Sequence, residues 1–398
     1  MQSKRKIMPS PSISFDNTEI AFKALSNKEL NRATLLFSLF NVEWLVALGS
    51  SFTERLLHLG IPIHVLVKPI VYSHFCGGED LVECTMLIRE LATRNVGVLL
   101  NYGVEAKSSD AEYEYSVLQN MQAIQLAGKE KNIKAVCIKL TGFGRVALFE
   151  KLQQKQGLNA SEQIELNAIN ERFDRLCSAA LENQVSIYID AEESWIQQPI
   201  DDMTLERMKR VNTKSAIIYN TYQLYRNDKL KDLKADLEYA KKHGFYLGVK
   251  LVRGAYVEKE NEFAKSAGKV SPIHISKAAT DDDFNLALTF CLDHLDTIAC
   301  CVASHNEYSC LLLTQLLQEK KIPFNHPHIS VSQLYGMGDH ITYNLSNSGI
   351  NCNKYVPFGP VKEVIPYLIR RAQENGSVEG QMGREIKLLK IEKTRRGI

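Results

Sequence analysis

The chain has 398 residues, of which 45% are hydrophobic and 24% are charged, and its formal net charge is +2. This is the composition of a globular protein with enough chain to bury a large core. A charge so close to zero gives no sign of the concentrated basic patch that a nucleic-acid partner would need. The nine cysteines form no C-x-x-C pair, which favours a reducing compartment over secretion.

No targeting or membrane-spanning segment stands out in the sequence. The most apolar stretches are interrupted by Glu43 and Lys68, so none reaches the ~20 residues that a spanning helix needs. The basic start at residues 4–6 lacks the apolar region of a signal peptide. We therefore expect a cytoplasmic bacterial protein, with peripheral contact to the inner membrane left open. A mitochondrial protein is the alternative if a transit peptide has been removed.

Residues 1–94 are predicted to form an N-terminal helical arm. Apolar residues recur at helical spacing in Asn27–Leu48, Ser51–Leu59 and Asp80–Thr93. Because these helices precede the first strand-like run, we expect them to pack as an arm or cap on the domain that follows.

Residues 95–378 are predicted to form one α/β domain, a (βα)8 TIM-like barrel. Eight apolar, Val/Ile/Leu-rich runs alternate with longer helical patterns, as is typical of parallel strands buried on both faces. Eight such units over ~280 residues suit a closed barrel, and an open doubly wound sheet is disfavoured because no G-x-G-x-x-G follows the first strand. The predicted strands are Val96–Tyr102, Ala135–Leu140, Ser186–Ala191, Ser215–Asn220, Tyr246–Val252, Ile298–Ser304, His328–Leu334 and Asn351–Phe358.

Two further segments carry helical signals. Leu148–Asn183 is long enough for two helices, with Asn159 or Ser161 as N-cap and Glu162 in the first turn. Residues 379–398 are predicted to form a basic C-terminal tail. The simpler interpretation of Arg384–Arg396 is a solvated tail or a docking helix, and contact with an anionic membrane is the alternative.

Polar side chains end almost every predicted strand, and barrel enzymes place their catalytic groups at these carboxyl ends. Several of these side chains lie within otherwise apolar runs, which favours a functional rim over ordinary polar loops. The rim residues are Lys139, Asp190, Glu192, Glu193, Asn220, Gln223, Lys250, Arg253, Ser304, His305, Asn306, Gln333, Tyr335 and Tyr355.

Lys139 and Lys250 are the most informative single positions, because an unpaired buried ammonium is costly. A structural ion pair, for example with Asp190, is one interpretation. Anion binding, a Schiff base or polarisation of a cofactor are the functional ones. His326 and His328 have no third ligand at suitable spacing, so we expect no metal site.

The helix predicted after the last strand, Val361–Asn375, carries Tyr367, Arg370, Arg371 and Glu374 on one broad face. Paired guanidinium groups suit a carboxylate or a phosphate, because their planar forks donate in parallel. A solvated charged face with Arg–Glu pairs is the alternative.

Several stretches together resemble the proline dehydrogenase family over nearly the whole chain. They are FDNTEIAFKALSNKEL (15–30), CIKLTGFGR (137–145), DAEESWIQ (190–197), YNTYQLY (219–225), GVKLVRGAY (248–256), ASHN (303–306), SQLYGMGDH (332–340) and YVPFGPVKEVIPYLIRRAQEN (355–375). The resemblance implies a (βα)8 barrel that binds FAD non-covalently and oxidises L-proline to 1-pyrroline-5-carboxylate. It also implies electron transfer to a membrane quinone, in the first step of proline catabolism to glutamate.

The resemblance further implies roles for individual residues. Lys139, Arg370 and Arg371 would grip the substrate carboxylate, while Tyr355 would pack on the pyrrolidine ring with Leu251 or Tyr367 nearby. Asp190 and Glu374 would hold those cations in position. The residues implied for FAD are Gln223, Lys250, Arg253, Gly254, Ala255, Tyr256, Lys277, Ser304, His305 and Asn306. No residue stands out as a base for the amine proton.

Three other functions remain open on the sequence. Hydroxyproline dehydrogenase is the nearest, but the bulk of Tyr355 is expected to crowd a ring hydroxyl. A Schiff-base aldolase using Lys139 or Lys250 would carry no flavin. A barrel acting only as a binding scaffold would leave the polar rim without a purpose.

Overall fold

A computed structural model describes residues 13–40, 68–104, 108–365, 367–368 and 381–398. Eight parallel strands follow one another around a closed barrel, which confirms the predicted (βα)8 fold. The strands are β1 Val96–Tyr102, β2 Ile133–Ile138, β3 Ser186–Ile189, β4 Ile218–Gln223, β5 Leu247–Val252, β6 Ile298–Ala303, β7 Ile329–Leu334 and β8 Cys352–Phe358.

The barrel closes where β1 pairs in parallel with both β2 and β8, for example Leu99 with Tyr355. The strand ranges agree with the sequence prediction to within three residues at each end. The largest difference is β4, predicted at 215–220 and observed at Ile218–Gln223. Asn220, predicted to end this strand, lies in its middle, where its side-chain NH2 donates to Asp201 of the preceding helix at 2.9 Å. That bond satisfies the buried donor, although the Asn220 Oδ1 accepts no hydrogen bond from the described residues.

Side chains alternate between the barrel interior and the surrounding helices, as the two-residue period of a strand requires. The cluster inside the barrel contains several small residues, namely Ala135, Cys137, Ala299 and Cys301, beside larger ones that include Tyr188. Outward-facing residues join the main core under the helices. All nine cysteines are buried and free of disulfides.

Helices follow the strands as the sequence predicted, and Asn159 caps one of the two helices between β2 and β3 in a capping box with Glu162. Among the described residues, no helix is both long enough and apolar enough to cross a membrane. The helices are α1 Thr18–Phe22, α2 Asn27–Phe40, α3 Ser73–Phe75, α4 Leu81–Ala92, α5 Asp110–Lys129, α6 Val146–Gln153, α7 Ala160–Asn183, α8 Ser194–Val211, α9 Lys229–His243, α10 Val257–Ser266, α11 Lys277–Asp293, α12 Glu307–Glu319, α13 Asp339–Asn347 and α14 Gln381–Arg396, with a π-helical turn Lys68–Tyr72 and a 3-10 turn Leu140–Gly142.

The N-terminal arm and the C-terminal segment meet in one apolar cluster. Phe22 and Leu30 of the arm pack with Leu388 and Leu389 of α14, all of them buried. Arg396 also donates to backbone carbonyl oxygens of the arm at 2.6 and 2.7 Å. The basic segment predicted as a solvated tail or docking helix is thus a docked helix. The predicted helix Ser51–Leu59 and residues 41–48 of Asn27–Leu48 lie outside the described residues.

Candidate active site

Three side chains converge at the carboxyl-terminal mouth of the barrel. The Lys250 ammonium donates to Asp190 Oδ1 at 2.5 Å, and the Tyr355 hydroxyl donates to Asp190 Oδ2 at 2.7 Å. Lys250 also lies 5.2 Å from the centre of the Tyr355 ring. Asp190 and Lys250 are 7% and 6% exposed, so the ion pair is shielded from water. One carboxylate therefore fixes both a cation and an aromatic ring.

Strand periodicity explains why these residues meet. Tyr355 packs with the interior cluster, and Lys250 pairs in register with Cys301 of that same cluster. Burial alone lowers the pKa of Lys250, but Asp190 outweighs it, and the pKa lies above its usual value. A Schiff base requires a neutral amine, so a protonated Lys250 argues against the aldolase interpretation.

Lys139 is half-buried and follows β2, immediately before the 3-10 turn. Beside it lies Glu192, which is 5% exposed. Glu192 accepts hydrogen bonds from the Thr141 hydroxyl at 2.6 Å and the Thr141 amide at 3.3 Å. Burial raises the pKa of Glu192 to about 7, although Lys139 and Thr141 act to lower it. This edge of the mouth thus pairs a cation with a carboxyl group that titrates near neutral pH.

A second cationic group lies at the start of α11. The Arg253 guanidinium and the Lys277 ammonium both donate to Asp281, each at 2.6 Å. Arg253 also donates to the hydroxyls of Ser304 and Ser309 at 2.8 and 2.9 Å. Because a helix N-terminus adds partial positive charge, this arrangement suits a phosphate group.

The end of β4 lies between Lys139, which follows β2, and Arg253, which follows β5. Gln223 is almost fully buried, and its Oε1 accepts no hydrogen bond from the described part of the chain. Gly254 has φ +138°, and a Cβ there would lie 2.4 Å from the Tyr225 ring, so only glycine fits. Ala255 is exposed, and Tyr256 precedes α10.

The segment after β6 is fixed by side-chain bonds. Besides binding Arg253, the Ser304 hydroxyl accepts from the Asn306 amide at 3.1 Å. Asn306 caps α12 by accepting from the Ser309 amide. His305 Nε2 accepts from the Leu334 amide at 3.1 Å, which links β6 to β7. All three residues therefore lie at the same mouth as Lys250.

The structure does not bring every predicted residue to this mouth. Leu251 faces the outer core, because its neighbour Lys250 faces the interior and successive strand residues alternate. It lies beside Tyr222 and Val302 in register, so Leu251 does not line the predicted substrate site. Tyr367 is buried in the apolar cluster of the arm. It nevertheless lies close enough to Tyr355 at the mouth to help raise the pKa of the Tyr355 hydroxyl.

Arg370, Arg371 and Glu374 lie outside the described residues, so their predicted roles remain predictions. Asp190 pairs with Lys250. The sequence left this structural ion pair open as one interpretation of the buried lysine.

Two residues at the mouth had not been predicted to bind anything. Asp281 bridges Arg253 and Lys277, and its i, i+4 spacing from Lys277 on a helix is a signal that could have pointed to it. The sequence predicts Glu192 only as part of the polar rim. Its burial against Thr141 could not be read from the sequence, because a carboxylate after a strand is ordinarily solvated.

This barrel, with its charged residues gathered at the carboxyl ends of the strands, defines the chain as a protein of the (βα)8-barrel enzyme class. The sequence model of the proline dehydrogenase family matches residues 84–384. The chain belongs to the proline dehydrogenase family.

The chain is also similar to individual curated proteins and to a solved structure. Proline dehydrogenase 1, mitochondrial, of Dictyostelium discoideum is 29% identical over 426 residues, covering 96% of this chain and 74% of the relative. Hydroxyproline dehydrogenase of Xenopus laevis is 30% identical over 413 residues, covering 94% and 88%. The crystal structure of proline utilization A from Bdellovibrio bacteriovorus, inactivated by N-propargylglycine, shares the fold with a TM-score of 0.71 at 19% identity. It covers 94% of this chain, which spans only 38% of that longer chain.

Proposed function

We propose that this chain is a flavin-dependent proline dehydrogenase, which oxidises L-proline to 1-pyrroline-5-carboxylate with FAD. The observation that carries this proposal is the Asp190–Lys250–Tyr355 group at the barrel mouth. It fixes an aromatic surface and a positive charge side by side, as oxidation of a small saturated ring next to an electron acceptor requires. The family of the chain supports the substrate.

The residues at the mouth fit FAD. The buried Oε1 of Gln223 needs a donor, and the flavin ring carries an N–H group. Arg253 and Lys277, beside the start of α11, suit the pyrophosphate. We therefore assign FAD binding to the polar rim of strands β4 to β6. The residues assigned are Gln223, Lys250, Arg253, Gly254, Ala255, Tyr256, Lys277, Ser304, His305 and Asn306.

The chain's own residues bind and orient the substrate and place positive charge beside it. FAD supplies, when bound, the acceptor for the hydride that leaves C5 of proline. Lys139, with Arg370 and Arg371, binds the carboxylate of proline, and Tyr355 packs against its ring. Asp190 holds the Tyr355 hydroxyl, which fixes the orientation of that ring. The Lys250 ammonium keeps positive charge where electrons accumulate, which favours the reaction electrostatically.

An anaerobic visible absorption spectrum of the purified protein tests this function. We expect a flavin band that L-proline bleaches, because hydride transfer reduces the cofactor. Lys139→Met should keep the band but need at least ~10-fold more proline for bleaching, since removing a charged hydrogen bond costs about 1.5–3 kcal/mol. Lys134→Met is the matched control, because Lys134 is exposed and lies on β2, the strand that Lys139 follows.

Absence of a flavin band, even after FAD is added, would contradict the proposal. A band that responds equally in the wild type and in Lys139→Met would remove Lys139 from the substrate site.

We further propose that a membrane quinone accepts the electrons, with peripheral contact between the protein and the membrane. The exposed Lys387 and Lys390 of α14 suit an anionic surface. Arg384 and Arg396 are instead used within the protein, in bonds to Glu307 and Glu392. Turnover with a soluble quinone, measured with and without anionic vesicles, tests both statements. A cytoplasmic or mitochondrial location is likewise a proposal, and the name of the Dictyostelium relative favours the second.

Hydroxyproline is the second candidate substrate, because a hydroxyproline dehydrogenase is among the relatives. Tyr355 argues for proline, since its hydroxyl is held by Asp190 and its ring cannot swing away from a substrate hydroxyl. We expect Tyr355→Ser to shift the ratio of kcat/KM values towards hydroxyproline by at least ~10-fold, about 1.4 kcal/mol. Steady-state kinetics with both substrates measure the ratio, and an unchanged ratio would show that Tyr355 does not set this preference.

A further inference from the structure

A buried carboxyl group at the barrel mouth has no part in the function proposed above. Glu192 lies after β3 and is 5% exposed. Both of its oxygens face the turn after β2, where the Thr141 hydroxyl and amide donate to them at 2.6 and 3.3 Å. Its own amide donates to Gln197 at 2.6 Å, which fixes the backbone from the other side. Glu192 is therefore held rigidly. Its bonds to Thr141 and Gln197 are structural, but they do not explain why this carboxyl group lies near Lys139, the lysine proposed to bind the substrate.

Two charged side chains act on Glu192, and one of them is paired with a third. Lys139, at the end of β2, is the strongest opposite charge acting on it, and the neighbouring Glu193 repels it. Glu193 is in turn paired with Lys259 of α10. Lys139 is therefore the cation whose charge Glu192 balances most directly.

The substrate brings a second carboxylate to the same cation. If Lys139 binds the carboxylate of proline together with Arg370 and Arg371, a second negative group comes next to the ammonium that Glu192 balances. Like charges brought together in this way disfavour ionisation of one of them, as in other pairs of carboxylates. The Thr141 hydroxyl can rotate to accept from a protonated Glu192, so the neutral form of the carboxyl group is also hydrogen-bonded.

We propose that Glu192 balances the charge of Lys139 when the substrate site is empty, and takes up one proton from solution when the substrate carboxylate replaces it. This inference rests on the proposed function, because it assumes that Lys139 binds that carboxylate. Glu192 is then a positioning residue, which acts on the substrate through Lys139. In this role it makes substrate binding dependent on pH. A proton already bound near neutral pH, as the pKa of about 7 allows, reduces the uptake at lower pH.

Binding of tetrahydro-2-furoate to the FAD-loaded protein tests the proposal. This acid keeps the ring and carboxylate of proline but has no amine, so its own titration does not contribute above pH ~5. Titration calorimetry in two buffers of different ionisation enthalpy counts the protons taken up. We expect about 0.5 to 1 proton per bound ligand at pH ~8, and a Kd that weakens up to ~10-fold per pH unit above neutrality.

Glu192→Gln should take up no proton, and its Kd should no longer depend on pH. Glu193→Gln is the matched control: it removes the charge that repels Glu192, so it should still take up a proton on binding, but over a lower pH range than the wild type. Binding by the wild type without proton uptake would overturn the inference and leave the proposed function intact. No binding by the wild type, together with no bleaching by proline, would overturn both. If Glu192→Gln does not fold, the proton count of the wild type still decides.

Discussion

Asp190→Ala is expected to lower kcat/KM for L-proline at least ~100-fold and to reduce the free energy of unfolding by about 3–5 kcal/mol. Removing one partner of a buried ion pair leaves the other charge without compensation, which is among the most costly single changes in a protein. Here the stranded charge is Lys250, and the Tyr355 hydroxyl loses its acceptor in the same step. Chemical denaturation measures the stability, and steady-state kinetics under conditions that keep the variant folded measure the activity.

The double variant Asp190→Ala with Lys250→Met separates the two effects. It removes both charges, so most of the lost stability should return, because two buried apolar groups need no partner. Activity should stay low, because neither the charge nor the fixed tyrosine ring is restored. A double variant no more stable than Asp190→Ala would show that the pair is not the source of the loss. Recovery of activity would show that Lys250 has no role in the reaction.

The second large effect is expected at His340, which links three parts of the chain. Its Nε2 lies 3.1 Å from Glu307 of α12, and its Nδ1 lies 3.7 Å from Glu385 of α14. Arg384 also donates to Glu307 at 2.7 Å and to Asp16 of the arm at 2.8 Å. Burial lowers the pKa of His340, but the two carboxylates outweigh it and raise the pKa to about 9.

The sign of the pH dependence follows from this shift. A histidine whose pKa is raised from 6.5 to about 9 contributes its full stabilisation below pH 6.5 and loses it as the pH rises through 9. His340→Gln should therefore be less stable than the wild type by about 2–3 kcal/mol at pH ~6. At pH ~9.5 or above, the difference should fall to about 1 kcal/mol or less. Glu307 acts in the opposite range, since its pKa is lowered to about 2 and its contribution disappears only in strong acid.

Denaturant unfolding of both proteins at these two pH values measures the difference. Lys320→Gln is the control, because Lys320 and Asp293 form a largely exposed pair, which ordinarily contributes less than about 1 kcal/mol. A difference between His340→Gln and the wild type that is the same at both pH values would contradict a charged His340.

The barrel could be predicted from the sequence because its strands are buried on both faces. Such strands must be continuous apolar runs, and runs of this kind are visible without a structure. The error at β4 has a physical cause. A polar residue such as Asn220 predicts the end of a buried strand, but its partner Asp201 lies on a helix that no local pattern connects to it.

The candidate site could be predicted as a set of residue types but not as a set of contacts. The lysine and aspartate at the strand ends indicated a charged mouth, yet nothing in the sequence chose between Lys250 and the other cations as the partner of Asp190. Leu251 is instructive, because the two-residue period with Lys250 already placed it on the outer face. The resemblance to a family suggested it nonetheless. Contacts that depend on rotamers and burial, such as Thr141 with Glu192, required the structure.

The pairing of β1 with β8 has a consequence for synthesis of the chain. Val96 pairs with Cys352, so the first strand leaves the ribosome roughly 250 residues before its last neighbour. At typical translation rates of ~5–20 residues per second, this interval is on the order of 10 to 50 s. Throughout that time one edge of an apolar strand has no hydrogen-bonding neighbour, which is the condition that invites association between nascent chains. The same closure that hides every strand edge in the finished barrel thus makes its half-synthesised form a natural client for chaperones.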